Sequence, residues 1–169
     1  MSRPTVGSEG KGPMSVDRFF TRLNPVVVWA LRSPLHGLLS KGLMLITVVG
    51  RRSGRRYTIP VGYQRHGSTL TVLVSEAPRK QWWRNYGTPT DVEIELAGRR
   101  RRGQAAVVDP MSTEFRDRVT DTLRRLPWMG RVFGIDYDRH RGLDETQLAE
   151  LRRGVAAVQI TLDDTVDSD

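Results

Sequence analysis

Residues 43–67 read "LMLITVVGRRSGRRYTIPVGYQRHG". The first run, residues 43–49, is rich in β-formers and stops at Gly50. Arg51, Arg52, Ser53, Gly54, Arg55 and Arg56 follow, and a second apolar run, "YTIPVGYQ" (57–64), resumes. Two such runs joined by a short glycine-containing link predict an antiparallel hairpin. Pro60 has no amide hydrogen to give a sheet, so it predicts an edge or a bulge. "RHGS" (65–68) is a turn and "TLTVLVS" (69–75) a third strand, so the three runs predict an antiparallel meander.

The pattern continues downstream. "DVEIELAG" (91–98) and "RRRRGQAAVV" (99–108) predict another hairpin around Gly98. Val92, Ile94 and Leu96 alternate with Glu93 and Glu95, which gives one buried and one wet face. The same alternation sends two of the arginines 99–102 to each face. "VAAVQITL" (155–162) is a last strand.

Helical signals surround these strands. Ser112 caps a helix over 112–126, and "LDETQLAELRRG" (143–154) is a shorter one ending in glycine. A short helix spans Lys80 to Tyr86, and residues 128–142 read as an irregular loop. Upstream, Ser15 or Asp17 caps a helix through "VDRFFTRLN", and Pro25 restarts it as "PVVVWALR".

Five or six antiparallel strands with flanking helices predict a mainly β, α+β fold. So small a sheet removes its edges by closing into a barrel. The chain divides into a Gly/Ser/Pro-rich disordered leader (1–14), one barrel domain with its N-terminal helix (15–162) and an acidic disordered tail (163–169).

Composition excludes several chemistries. The chain has 169 residues and no cysteine, so disulfides, thiolate catalysis and cysteine-based zinc sites are ruled out. His36, His66 and His140 are isolated in sequence, so no metal is expected. The apolar stretches "VVVWAL" (26–31) and "LMLI" (43–46) fall far short of the roughly 20 residues of a membrane-spanning helix. The leader has no secretory signal, so the cytoplasm is the expected compartment. Phe19, Phe20, Leu23, Val27, Trp29 and Leu31 beside Arg18, Arg22 and Arg32 suit either core packing or a peripheral membrane contact.

The formal charge is +8, and 24 of the 27 basic residues are arginine. Such a charge attracts phosphates, nucleic acid or an anionic membrane. No basic helix or aromatic-lined strand pattern accompanies it, so nucleic acid is not the expected partner. Gly50 and Gly54 permit positive φ, which lets backbone amides converge as an anion nest beside Ser53 and the four arginines. The alternative is an ordinary hairpin turn with solvated arginines. A second constellation is "APRKQWWRNYG" (77–87), where Lys80, Trp82 and Asn85 share a face of the short helix. Its tryptophans offer stacking area for a planar ring, or they are simply core.

Together these segments resemble the deazaflavin-dependent nitroreductase family. Its members are split β-barrel proteins of FMN-binding-like fold, common in actinobacteria, that use coenzyme F420. The marks are a G-R-x-S-G turn, here Gly50 to Gly54, and a K-x-W-x-x-N segment, here Lys80, Trp82 and Asn85. The resemblance runs from about Leu43 to Val108.

It implies that Arg51, Arg52 and Ser53 receive the phosphate and acidic tail of the 8-hydroxy-5-deazaflavin, with Arg55 or Arg56 as a further contact. Thr58, Pro60 and Tyr63 line the ring pocket. Val74 and Ser75 touch the ring through backbone or hydroxyl, and Lys80, Trp82 and Asn85 hold its far side. FMN also suits a split barrel, but the arginine turn favours the more acidic deazaflavin. The implied activity is hydride transfer to a flat hydrophobic acceptor such as a quinone or nitro compound, with Tyr137 as a proton donor. The alternative within the fold is a fatty-acid or lipid binder without redox activity. Monomer and homodimer are both compatible with the sequence.

Overall fold

The computed structural model describes residues 42–50 and 54–163. The leader, the N-terminal helical stretch, the acid-rich end from residue 164 on, and Arg51, Arg52 and Ser53 lie outside the described residues. Among the described residues there are seven strands: β1 Leu43–Val49, β2 Arg56–Gly62, β3 Gln64–His66, β4 Thr69–Val74, β5 Thr90–Leu96, β6 Arg99–Val107 and β7 Ala156–Leu162. The described residues also contain α1 Thr113–Arg125, α2 Met129–Phe133 and α3 Glu145–Gly154 between β6 and β7, and a 3-10 helix at Trp82–Tyr86.

The strands form one antiparallel sheet in the order β2-β1-β5-β6-β7-β4-β3. Its two edge strands, β2 and β3, are consecutive in sequence and separated only by Tyr63. The chain itself therefore draws the edges together, and the sheet curls into a split barrel. The expected meander is kept, but its middle strand bends at Tyr63: the first half pairs β1 and the second pairs β4. Pro60 lies on the edge strand β2, where a missing amide costs no ladder bond.

Strand alternation separates two cores. Met44, Ile46, Val48, Leu70, Val72, Val74, Val92, Ile94, Val158 and Ile160 point inward and fill the barrel. Leu73 and Ala157 point the other way, onto a second cluster built by Phe115, Val119 and Leu123 of α1, Phe133 of α2, and Leu148 and Leu151 of α3. Phe115 is fully buried there, which contributes about 2 kcal/mol over leaving it in water.

Local signals fix the helix ends. Ser112 Oγ accepts from the Phe115 amide, and Asp144 with Gln147 forms a capping box on α3. Beyond α1 the structure differs from the expected loop. Residues 128–142 contain α2, closed by Gly134 at φ 81°, and an isolated bridge between Asp138 and Gly142. Burial of Phe133 explains the extra helical turn, because it must reach the second cluster. The expected helix over 80–86 is a 3-10 helix beginning at Trp82. The Glu76 carbonyl accepts from both Arg79 and Lys80, so the preceding residues form a separate turn.

β3 is pinned to α1 from its outward face. Gln64 Nε2 donates to Thr122 Oγ1, and His66 Nε2 lies 3.3 Å from Asp121 Oδ2.

Candidate functional site

Strand direction assigns every connection to one end of the barrel. The turn after β1, the segment leaving β4 and the entry into β7 share one end, because Val49 pairs Arg56, Val74 pairs Ala156, and Val107 pairs Val158. The base of the arginine turn and the start of the Ser75–Tyr86 segment therefore lie at the same end of the barrel, although they are far apart in sequence.

The base of the turn is closed by backbone bonds. The Gly50 amide donates to the Arg55 carbonyl at 2.8 Å, and the Gly54 amide to the Gly50 carbonyl at 2.8 Å. Gly54 has φ 63°, the left-handed conformation that disfavours a β-carbon. Arg55 and Arg56 are exposed at its C-terminal side. Arg56 forms an ion pair with Glu93 of β5, and the same carboxylate lies 3.8 Å from Arg102 of β6. Glu93 thus partly neutralises one arginine of the turn.

Across the rim, β4 runs out through buried Val74 to half-buried Ser75. Glu76 then takes φ 52°, an unusual backbone for a non-glycine residue, which turns the chain sharply. The turn brings Lys80 back so that its Nζ donates to Ser75 Oγ at 3.1 Å. Burial holds the Lys80 ammonium below the ordinary lysine range, and the nearby Glu76 carboxylate opposes the shift. A half-buried cation beside a hydroxyl is a donor pair suited to an oxyanion or a polarised carbonyl.

The 3-10 helix carries the aromatic residues. Trp82 packs against the barrel core and meets Tyr86 edge-on, with ring centroids 6.3 Å apart. Trp83 Nε1 donates to the Ala77 carbonyl at 2.9 Å, and the Arg84 guanidinium lies 5.4 Å over its ring. Buried Tyr86 has its hydroxyl pKa pushed up to about 12 by desolvation, so it stays neutral. Asn85 is half-buried, and its carbonyl accepts from Thr90 Oγ1 at 3.5 Å.

The sequence-derived residues do not all converge on one face. Ser75 and Lys80 touch, and Trp82 and Asn85 follow directly on the same segment. Val74 points into the barrel core, so only its backbone is available at the rim. On β2, Ile59 and Val61 pack inward, which places Thr58 and Pro60 on the outer face of the sheet. Thr58 Oγ1 there lies 3.5 Å from Thr47 Oγ1. Tyr63 packs against the barrel core. Tyr137 packs against the second cluster, on the helical layer. In sequence Glu93 reads only as a wet-face residue of its strand; the strand order β2-β1-β5-β6 sets it between Arg56 and Arg102.

The residues present fit an anionic planar coenzyme. The half-buried Lys80–Ser75 pair supplies a charge-assisted donor, partly buried Trp82 follows two residues on, and the base of the arginine turn lies at the same end of the barrel. Among the described residues there is no cluster of acidic, histidine or cysteine groups able to hold a metal ion.

Comparison with solved structures finds distant likenesses. An F420-H2 dependent reductase, FDR-A, shares 13% identity over 71% of this chain and 94% of its own, with a TM-score of 0.48. The heme storage protein HutZ from Vibrio cholerae shares 12% over 79% of this chain and 92% of its own, at 0.49. A domain-swapped dimer shares 12% over 86% of this chain and 99% of its own, at 0.50. At these identities the structures bear on no activity, and only the last reaches a TM-score of 0.50. No curated protein matches the chain. The family model described as F420H(2)-dependent quinone reductase matches residues 25–126, which include both the arginine turn and the lysine–tryptophan–asparagine segment. The chain belongs to the F420H(2)-dependent quinone reductase family.

Proposed function

We propose that the protein is an oxidoreductase that binds reduced F420 at the rim formed by the arginine turn and the Ser75–Asn85 segment, and reduces a flat hydrophobic acceptor of the quinone or nitro-compound class. The observation that carries this reading is the Lys80–Ser75 contact at the same end of the barrel as the arginine turn, within a family-matched segment.

A reduced deazaflavin supplies a hydride, so the protein's part is to bind, orient and exclude water. The arginines of the turn, Arg51, Arg52, Arg55 and Arg56, with Ser53, would hold phosphate and carboxylates by fork-shaped donors. Lys80 would sit beside the ring edge, held in direction by Ser75. Trp82 and Asn85 would bound the ring on the side of the 3-10 helix, and the backbone of Val74 would bound it on the strand side. Thr58 and Pro60 would lie along the approach to the turn on the outer face of β2, with Tyr63 at the bend. Tyr137 would deliver a proton to the reduced acceptor, which requires the acceptor to reach the helical layer.

Titration of the protein with F420, followed by tryptophan fluorescence, tests the binding. A screen of quinones and nitro compounds with reduced F420 tests the reaction. Saturable quenching with turnover of a quinone supports the proposal, and quenching absent at all concentrations overturns it.

A further inference from the structure

Among the described residues, every buried apolar side chain belongs to the barrel core or to the second cluster, with one exception. Leu45 of β1 is only 2% exposed and belongs to neither. Its neighbours Met44 and Ile46 fill the barrel, so alternation turns Leu45 to the outer face of the sheet. The helices of the second cluster do not cover it there. They lie over β4 and β7, where Leu73 and Ala157 meet them, and β5 and β6 separate β1 from β7.

Strand neighbours do not account for this burial. Pro60 of β2 and Glu95 of β5 stand opposite Leu45 in register. Side chains of adjacent strands stand beside one another, and burial to this depth takes a further layer laid on the sheet, about 10 Å away. The cover comes from this same chain, because Leu45 is buried within a single copy. Three stretches lie outside the described residues, and only one can supply an apolar layer. Arg51, Arg52 and Ser53 lie beyond the other end of β1 and carry no apolar side chain. Residues 164–169 continue from Asp163, whose amide donates to the Arg102 carbonyl of β6, and their one apolar side chain is Val166. Residues 1–41 contain Phe19, Phe20, Leu23, Val27, Trp29 and Leu31. They join the described chain at Gly42, whose carbonyl accepts from the Tyr63 amide at 3.0 Å, close in sequence to Leu45. Burial along this face fades toward the rim, since Thr47 is half-buried and Val49 exposed, so the cover sits at the Gly42 end. The family match begins at residue 25 and takes in Val27, Trp29 and Leu31.

We propose that the outer face of β1 around Leu45 is a docking surface for this chain's own residues 19–31, which cover it with their apolar side chains as a further layer of the domain. The layer backs β1, the strand that leads into the arginine turn. The apolar residues that border Arg18, Arg22 and Arg32 are thereby spent on the barrel and not on a membrane surface.

The chain has no cysteine, so cross-linking between introduced pairs reads the contact directly in the full chain. Thr47→Cys, on the same outer face as Leu45, is combined in turn with Phe20→Cys, Leu23→Cys, Val27→Cys and Leu31→Cys. Each pair is treated with a bismaleimide spanning about 10 Å, the distance between packed layers. The control replaces Thr47→Cys by Glu150→Cys, an exposed position on α3. Melting temperatures check that each variant folds. The expected result is a cross-link within one chain that forms from Thr47→Cys about tenfold or more faster than from Glu150→Cys, for at least one of the four partners. A second measurement needs no cysteine. Trypsin cleavage after Arg22 and Arg32 is expected to speed up about tenfold or more in Leu45→Ala, which removes the anchor, while cleavage after Lys11 is unchanged. Equal rates from Thr47→Cys and Glu150→Cys overturn the proposal, as does unchanged cleavage in Leu45→Ala. Cross-links only between chains overturn it in favour of a second copy on this face. No cross-link within the chain, with flotation of the protein on phosphatidylglycerol vesicles, overturns it in favour of a membrane.

Discussion

Lys80 reaches back five residues to donate its ammonium to Ser75 Oγ at 3.1 Å, across a turn made by Glu76 in a left-handed conformation. The contact is short-range in sequence but lies at the barrel rim that the arginine turn also occupies. It turns a surface lysine into a half-buried, directed cation.

That burial has a pH signature. Desolvation lowers the Lys80 pKa in the folded chain below 10.5, against the pull of Glu76, so the unfolded chain holds this proton more tightly. Between the lowered pKa and 10.5 the unfolded state binds more protons, and the Lys80 contribution to stability rises with pH across that window. Coenzyme affinity moves the other way, because loss of the ammonium removes a donor to an anion. Lys80→Met is expected to abolish both trends and to weaken F420 binding by about tenfold. Urea melts and fluorescence titrations from pH 8 upward measure the two slopes. Wild-type and Lys80→Met slopes that coincide would contradict the assignment.

Glu93 bridges Arg56 and Arg102 on the exposed face, and it competes with any anion for Arg56. Glu93→Gln is expected to tighten F420 binding several-fold while changing stability by less than about 1 kcal/mol, as for an exposed pair. Arg56→Ala weakens binding, and the double variant resembles Arg56→Ala alone. Affinities from the four-protein cycle decide; unchanged affinity in Glu93→Gln would show that Arg56 takes no part.

Gly103 of β6 lies opposite Leu162 of β7. A β-carbon there would lie 2.2 Å from the Thr161 carbonyl oxygen, a backbone atom that cannot swing aside. Gly103→Ala is expected to destabilise the barrel by about 3 kcal/mol, the upper range for overpacking. Denaturant unfolding measures it, and a loss below 1 kcal/mol would mean that the strands separate easily at this point.

Tyr137→Phe removes one hydroxyl from the helical layer. If that hydroxyl protonates the reduced acceptor, kcat falls by about a hundredfold or more while F420 affinity is unchanged. Steady-state kinetics beside the fluorescence titration separates the two, and an unaltered kcat would leave Tyr137 with packing alone.

Much of the barrel was legible because its strands alternate cleanly. Val92, Ile94 and Leu96 against Glu93 and Glu95 announced one wet and one dry face, and Ser112 announced the start of α1. Less legible were features set by distant partners. The break at Tyr63 follows from closing the sheet on itself, which no local pattern encodes. Helix α2 depends on Phe133 finding the second cluster. At the site, the motif spacing brought Lys80, Trp82 and Asn85 into view together, and Ser75 joined them through a single hydrogen bond. Thr58 and Pro60 were expected on the ring pocket, yet strand alternation faces them outward beside Thr47 and Arg56. Alternation already divided the four arginines at 99–102 between two faces; what the sequence could not show is the partner that the register brings to one of them, Glu93 beside Arg102.

The central claim is tested most directly by titrating the purified protein with F420 while following tryptophan fluorescence, alongside the variant Arg51→Ala/Arg52→Ala/Lys80→Met. The account predicts saturable quenching in the parent chain and its loss in the variant at unchanged melting temperature. Absence of quenching in the parent, or equal affinity in the variant, would contradict it.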